Sequence, residues 1–242
     1  MKAYILIAIL FLTSCTSKKE EKPITPKKKT QKTIQVVKEP QAVTTEIIET
    51  FTDSLHIGKK KNCKIEIIKY SISDQNYVTI KFYTKKFHSW HIQNTYVYEC
   101  DALMDLQPDI SDFNNDKLND ITFISATAAR GANEVRRLFI YDKQNKQLIS
   151  ILNSQDFPNM QYNAELDCID AWLFHGGTTT VFAKIEKDSL KQFASVDCEE
   201  NITVREIDKF GRDRIIRKDS ITSFKDRDAF VRYKNYKPLK EY

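Results

Sequence analysis

From Cys63 onward the chain is a succession of short β-branched and aromatic runs broken by turn-forming residues, and that spacing admits little besides antiparallel sheet. Cys63-Lys64-Ile65-Glu66-Ile67-Ile68-Lys69-Tyr70 mostly alternates apolar with polar residues, the period-two pattern of a strand with one buried face. Ser73-Asp74-Gln75-Asn76 reads as a turn, and Tyr77 to Tyr83 alternates again. Further strands are expected at 96–100, 121–125, 138–141, 148–152, 166–174, 178–187, 190–196, 202–207 and 214–217, with Asp188-Ser189 as a tight turn. No amphipathic helix is expected after residue 58. Thr44 to Leu55 (TTEIIETFTDSL) fits a helix or a first strand equally. The sequence has no internal repeat of fixed period.

The N-terminus reads as an address. Met1-Lys2 is a short positive segment, and Ala3 to Leu12 (AYILIAILFL) is an uninterrupted apolar run. That run is too short to cross a bilayer, which takes roughly 20 residues, and matches the apolar core of a signal peptide. Leu12-Thr13-Ser14-Cys15 then resembles the bacterial lipobox. The resemblance implies cleavage after residue 14 and acylation of Cys15, whose several chains, palmitate-like in size, hold a protein stably on a membrane. Thr16 stands where an Asp would imply inner-membrane retention, so the outer membrane is expected. Ser17-Lys18-Lys19-Glu20-Glu21 is similar to the export signal of surface lipoproteins in Bacteroidota, but reads more readily as a Lys/Glu-rich solvated tether. Residues 15–43 are expected to be a lipidated, disordered basic tether, because they carry three of the six Pro and little to bury. Residues 44–242 are then a single β-rich domain.

Charge follows the same division. Residues 16–39 carry eight Lys and three Glu, whereas residues 40–242 hold 29 basic and 30 acidic residues. The domain is therefore not basic, which argues against nucleic-acid binding. With Cys15 assigned to lipid, Cys63, Cys100, Cys168 and Cys198 remain. An even number in an exported chain suggests disulfides, with Cys63–Cys100 and Cys168–Cys198 as the preferred pairs and four buried thiols as the alternative. The absence of any Cys-x-x-Cys spacing argues against a tetrahedral zinc site.

The sharpest motif is Asp112-Phe113-Asn114-Asn115-Asp116-Lys117-Leu118-Asn119-Asp120, followed by Ile121-Thr122-Phe123. Oxygen-bearing side chains recur at Asp112, Asn114, Asp116 and Asp120, and the Leu118 carbonyl adds a further oxygen. Such a set suits Ca²⁺, a hard cation that takes six to eight oxygens, better than Mg²⁺. The stretch resembles the calcium loop of FG-GAP repeats, with Asn115 and Lys117 where that family prefers Gly. A looser resemblance continues through Leu138-Phe139-Ile140-Tyr141-Asp142-Lys143-Gln144-Asn145-Lys146-Gln147-Leu148 to exported, calcium-binding, irregular or incomplete β-propeller-like proteins. Some of these are immunity proteins that block lysozyme-like toxins. The resemblance implies a mainly β, antiparallel, propeller-like fold, bound calcium and a protein partner.

Catalytic signatures are missing. The sequence contains no Gly-x-Ser-x-Gly, phosphate loop, His-Glu-x-x-His or dinucleotide fingerprint. His88 and His91 point to opposite faces of a strand, a poor metal pair. Arg130 to Arg137 reads as a hairpin tip or a contact for an acidic partner. Trp90 and Trp172 read as packing rather than as carbohydrate platforms, and His175-Gly176-Gly177 reads as a loop. The expectation is a non-enzymatic, outer-membrane, lipid-anchored calcium protein that binds or inhibits a protein. The alternative is a glycan- or surface-polymer-binding lipoprotein of an uptake or adhesion system.

Overall fold

A computed structural model describes residues 45–220 and 230–242. They lie within one unit, Ala42–Tyr242. Strand makes up 62% of the structure and all sheet pairings are antiparallel, so the class is mainly β; none of the sheets closes into a barrel. The signal peptide at 1–14, Cys15 and the tether at 15–43 lie outside the described residues.

The first sheet joins β1 (Thr45–Asp53), β2 (Cys63–Ile72), β3 (Gln75–Lys86) and β4 (Ser89–Glu99) in chain order. Within the ambiguous Thr44 to Leu55 segment, Thr45–Asp53 is thus a strand. The β2–β3 turn is tighter than expected. Ser73 and Asp74 adopt φ of 48° and 66°, while Gln75 and Asn76 already pair with Ile72 and Ser71. Two left-handed central residues match the twist of the flanking strands. Phe87 and His88, with φ of 48° and 69°, make the same turn between β3 and β4. β4 therefore starts at Ser89, seven residues before the expected Tyr96.

The second sheet joins β5 (Ile121–Ala128), β6 (Asn133–Asp142) and β7 (Gln147–Ser150). The third joins β8 (Gln161–Asn163), β9 (Cys168–Phe174), β10 (Thr178–Glu186), β11 (Ser189–Cys198), β12 (Asn201–Ile207) and β13 (Asp213–Ser220), again as sequential neighbours. β14 (Tyr233–Tyr236) and β15 (Leu239–Glu241) form a closing hairpin. β8, β14 and β15 are too short for periodicity to reveal.

The second sheet is the middle layer. On β6, Phe139 and Tyr141 join a core with Ile65, Ile67, Ile80 and Phe82 of the first sheet. Leu138 and Ile140, on the opposite face, join Ile169, Ala171 and Val181 of the third. A strand buried on both faces has no polar side to alternate, which explains the unbroken Leu-Phe-Ile-Tyr run. A further core between the third sheet and the hairpin holds Phe182, Val196, Val204 and Tyr233.

Candidate functional site

The Asp112–Asp120 loop enters the middle sheet just before β5. Its two apolar side chains hold it down: Phe113 is 3% exposed in the core facing the third sheet, and Leu118 packs on the core facing the first. Between these pins, acidic and amide side chains cap the loop's own backbone. Asp112 accepts from the Asp116 N–H at 3.1 Å and the Lys117 N–H at 2.8 Å. Asn114 Oδ1 also accepts from the Asp116 N–H, at 3.1 Å, and Asp116 Oδ1 accepts from the Leu118 N–H at 2.8 Å.

Asn115 and Lys117 adopt φ of 60° and 71°. These are the positions where the FG-GAP pattern has glycine. Asn enters the left-handed region readily and Lys at greater cost, so the two φ values show the departing residues in a backbone suited to Gly.

Asp120 is the buried end of the loop, at 0% exposure. Its Oδ2 accepts from the Phe113 N–H at 2.9 Å, closing the loop on itself. Its Oδ1 accepts from the Tyr141 N–H at 2.8 Å, tying the loop to the end of β6. Burial pushes the Asp120 carboxyl up to about 7; the two N–H donors oppose this, and the nearby Asp116 and Asp112 charges add to it. The loop also meets the segment before β2, where the Gly58 N–H donates to the Asn119 carbonyl at 2.8 Å.

The loop thus carries five oxygen-bearing groups of hard character: three carboxylates, the Asn114 amide and the Leu118 carbonyl. Among the described residues no three His, Cys, Asp or Glu side chains form a metal-holding group by themselves. A cation at this loop would need the amide and the carbonyl as well, and each carboxylate oxygen that accepts one N–H retains a second lone pair for it.

The other sequence candidates do not converge on this loop. Cys63, Cys100, Cys168 and Cys198 are all free thiols, and the preferred disulfide pairing does not fit the register. Cys63 lies opposite Thr84 of β3, whereas the Cys100 N–H bonds the Asn76 carbonyl at the other end of that strand. The interval from residue 76 to 84 spans roughly 26 Å at about 3.3 Å per residue, and a disulfide needs Cα atoms within about 7 Å. Cys198 pairs with Thr178, at the start of β10, while Cys168 lies one residue before Ile169, which pairs with Ala183 near its end. Burial raises the Cys63, Cys100 and Cys168 thiols, Cys168 to about 12, so they are poor nucleophiles.

Arg130 sits at the β5–β6 hairpin tip with φ of 57°, but the rest of the expected basic cluster turns inward. Arg136 pairs with Glu134, and the Arg137 guanidinium lies 4.6 Å from the Tyr98 ring centre. Trp172 packs on Phe174 with ring centres 4.4 Å apart, and Trp90 lies beside Lys64 and Lys85. His175 bonds Thr179, and Gly177 is required by close approach, because a Cβ there would stand 2.2 Å from the Cys198 carbonyl oxygen.

The sequence reading missed the most buried ion pair among the described residues. Asp170, at 0% exposure, accepts from Arg232 Nε at 2.8 Å, from Asn163 Nδ2 at 3.0 Å and from the Tyr242 hydroxyl. Residues 62 and 72 positions apart in sequence meet here, a separation that no local pattern signals. Lys69 is likewise buried, its ammonium donating to the Met104 carbonyl at 2.6 Å.

Compared with known proteins, the chain matches no protein-family model and no curated sequence.

Proposed function

We propose that this chain is a lipid-anchored protein of the bacterial outer membrane. In this reading its β domain holds one Ca²⁺ in the Asp112–Asp120 loop and binds a protein partner, in the manner of toxin-blocking immunity proteins. The observation that carries the calcium reading is the pair of left-handed residues, Asn115 and Lys117, at the glycine positions of the FG-GAP loop. With that backbone, Asp112, Asn114, Asp116 and Asp120 supply side-chain oxygens and Leu118 its carbonyl. The ion's role is structural: it offsets the mutual repulsion of the three carboxylates and holds the loop against β6 through Asp120. Binding to the folded state alone stabilises it, by about 2.7 kcal/mol at a hundredfold excess over Kd.

The anchor rests on Leu12-Thr13-Ser14-Cys15. The partner reading draws support from β1, an edge strand that leaves Ile47 64% and Ile48 48% exposed, where a partner strand or loop could add. The three meander sheets, each of sequential strands and stacked face to face through the middle one, are consistent with unequal blades of an incomplete propeller.

Thermal unfolding of the full-length chain tests the ion. Millimolar Ca²⁺ is expected to raise the midpoint over chelator, and Asp116→Ala to abolish the rise; an unchanged midpoint in the parent protein refutes the calcium reading. Inhibition of lysozyme-type enzymes by the purified chain tests the partner, and loss of labelled palmitate incorporation in Cys15→Ser tests the anchor.

A further inference from the structure

Beside the calcium loop, a cavity of about 290 Å³ is lined by Lys59, Lys85, Lys86, Lys143, Lys146, Asn62, Thr84, Cys63 and Tyr141. Five lysines line it and no carboxylate does, with the Lys85 ammonium also 5.4 Å from the Trp90 ring centre. They arrive from three separate segments: the turn before β2, the end of β3 and the β6–β7 turn. Among the described residues none of the five has an acidic partner within ion-pairing distance. Elsewhere on the domain lysines at 64, 184, 191, 237 and 240 do have such partners. Unpaired like charges held around one concavity repel each other and attract an anion.

A second observation points the same way. Thr84 is 5% exposed, and its buried hydroxyl has no hydrogen-bond partner among the described residues. A buried hydroxyl left unpaired is costly unless something arrives to pair with it. Two of the lining residues pack closely on Gly58, where a Cβ would stand 3.0 Å from the Tyr141 ring and 3.2 Å from Cys63 Sγ. At the rim, Lys85 and Lys86 lead directly into Phe87, which is 98% exposed at a left-handed φ of 48°. A bulky aromatic in that conformation at a hairpin tip is unusual.

We infer that this cavity binds a phosphate-bearing anion, with the lysines supplying charge and the Thr84 hydroxyl a hydrogen bond. The chemistry is shared by a soluble phosphate compound and by an anionic lipid headgroup, and Phe87 beside the cavity would enter the apolar layer in the second case. The inference does not rest on the calcium reading, because none of the lining residues belongs to the Asp112–Asp120 loop.

The full-length chain would be titrated in calcium-free buffer with pyrophosphate, and separately with phosphatidylglycerol and phosphatidylcholine vesicles. Saturable binding of pyrophosphate or of phosphatidylglycerol vesicles is expected, weakened by about fivefold or more in the double variant Lys143→Gln, Lys146→Gln. Thr84→Val is expected to weaken binding while leaving the thermal midpoint unchanged or higher, which separates a ligand contact from a folding defect. Phosphatidylglycerol capture lost in Phe87→Ser assigns the phosphate to a headgroup. Pyrophosphate binding without vesicle capture assigns it to a soluble compound. No saturable binding of either probe, or binding unchanged in both the lysine and threonine variants, overturns the inference.

Discussion

Asp120→Asn should change sign in its effect on stability as pH rises. In calcium-free protein the Asp120 carboxyl titrates near 7, raised by burial from an ordinary 3.8. A group whose folded pKa lies above its unfolded value lends stability that is complete below the unfolded pKa and lost as pH rises through the folded one. The interval of about three pH units, at about 1.4 kcal/mol each, makes the loss roughly 4 kcal/mol by pH 8. Asparagine cannot ionise and so escapes this loss. It keeps one oxygen acceptor, but turns an NH₂ toward the N–H of Phe113 or Tyr141, both of which Asp120 now accepts. Leaving one buried N–H unpaired costs about 1–3 kcal/mol. At pH 4 the variant should therefore be the less stable protein, and at pH 8 the more stable by about 1–3 kcal/mol. Urea unfolding of both proteins with chelator, at intervals from pH 4 to pH 8, measures the difference. A difference that stays constant within about 1 kcal/mol would refute the argument that burial strains the Asp120 charge.

Three other outcomes follow from the packing. Arg232→Ala should destabilise by about 3–5 kcal/mol, because it strands the Asp170 charge at 0% exposure, and equilibrium unfolding should show Arg232→Lys as milder. Phe139→Ala should cost about 3–5 kcal/mol in the same assay, since its ring meets Tyr96, Tyr98 and Phe123 in the core between the first two sheets. In a thiol titration without reductant, Cys63, Cys168 and Cys198 should be unreactive in native protein and react, with Cys100, in denaturant; thiols that stay silent in denaturant would mean disulfides are present.

The sequence by itself determined the class of fold and the address of one site. Strands follow from alternation, a local property, so β2, β3 and β9 to β13 of the third sheet were legible, as was the unbroken run of β6. The loop was legible because Asp112, Asn114, Asp116 and Asp120 are neighbours in sequence and their oxygens recur at fixed spacing. The left-handed φ of Asn115 and Lys117 is equally local, although the residues themselves depart from glycine. Pairing across the molecule was decided only in three dimensions. Cys63 and Cys100 flank a run of strands in sequence, yet register places them at opposite ends of one sheet, because the two chain reversals between them leave β4 ending at the far end from where β2 begins. Asp170 meets Arg232 and Tyr242, and five lysines of ordinary surface appearance close around one cavity, through long-range packing alone. A charge run in sequence carries no information about which carboxylates the fold will bring to it, and that neutralisation, or its absence, is what makes a site.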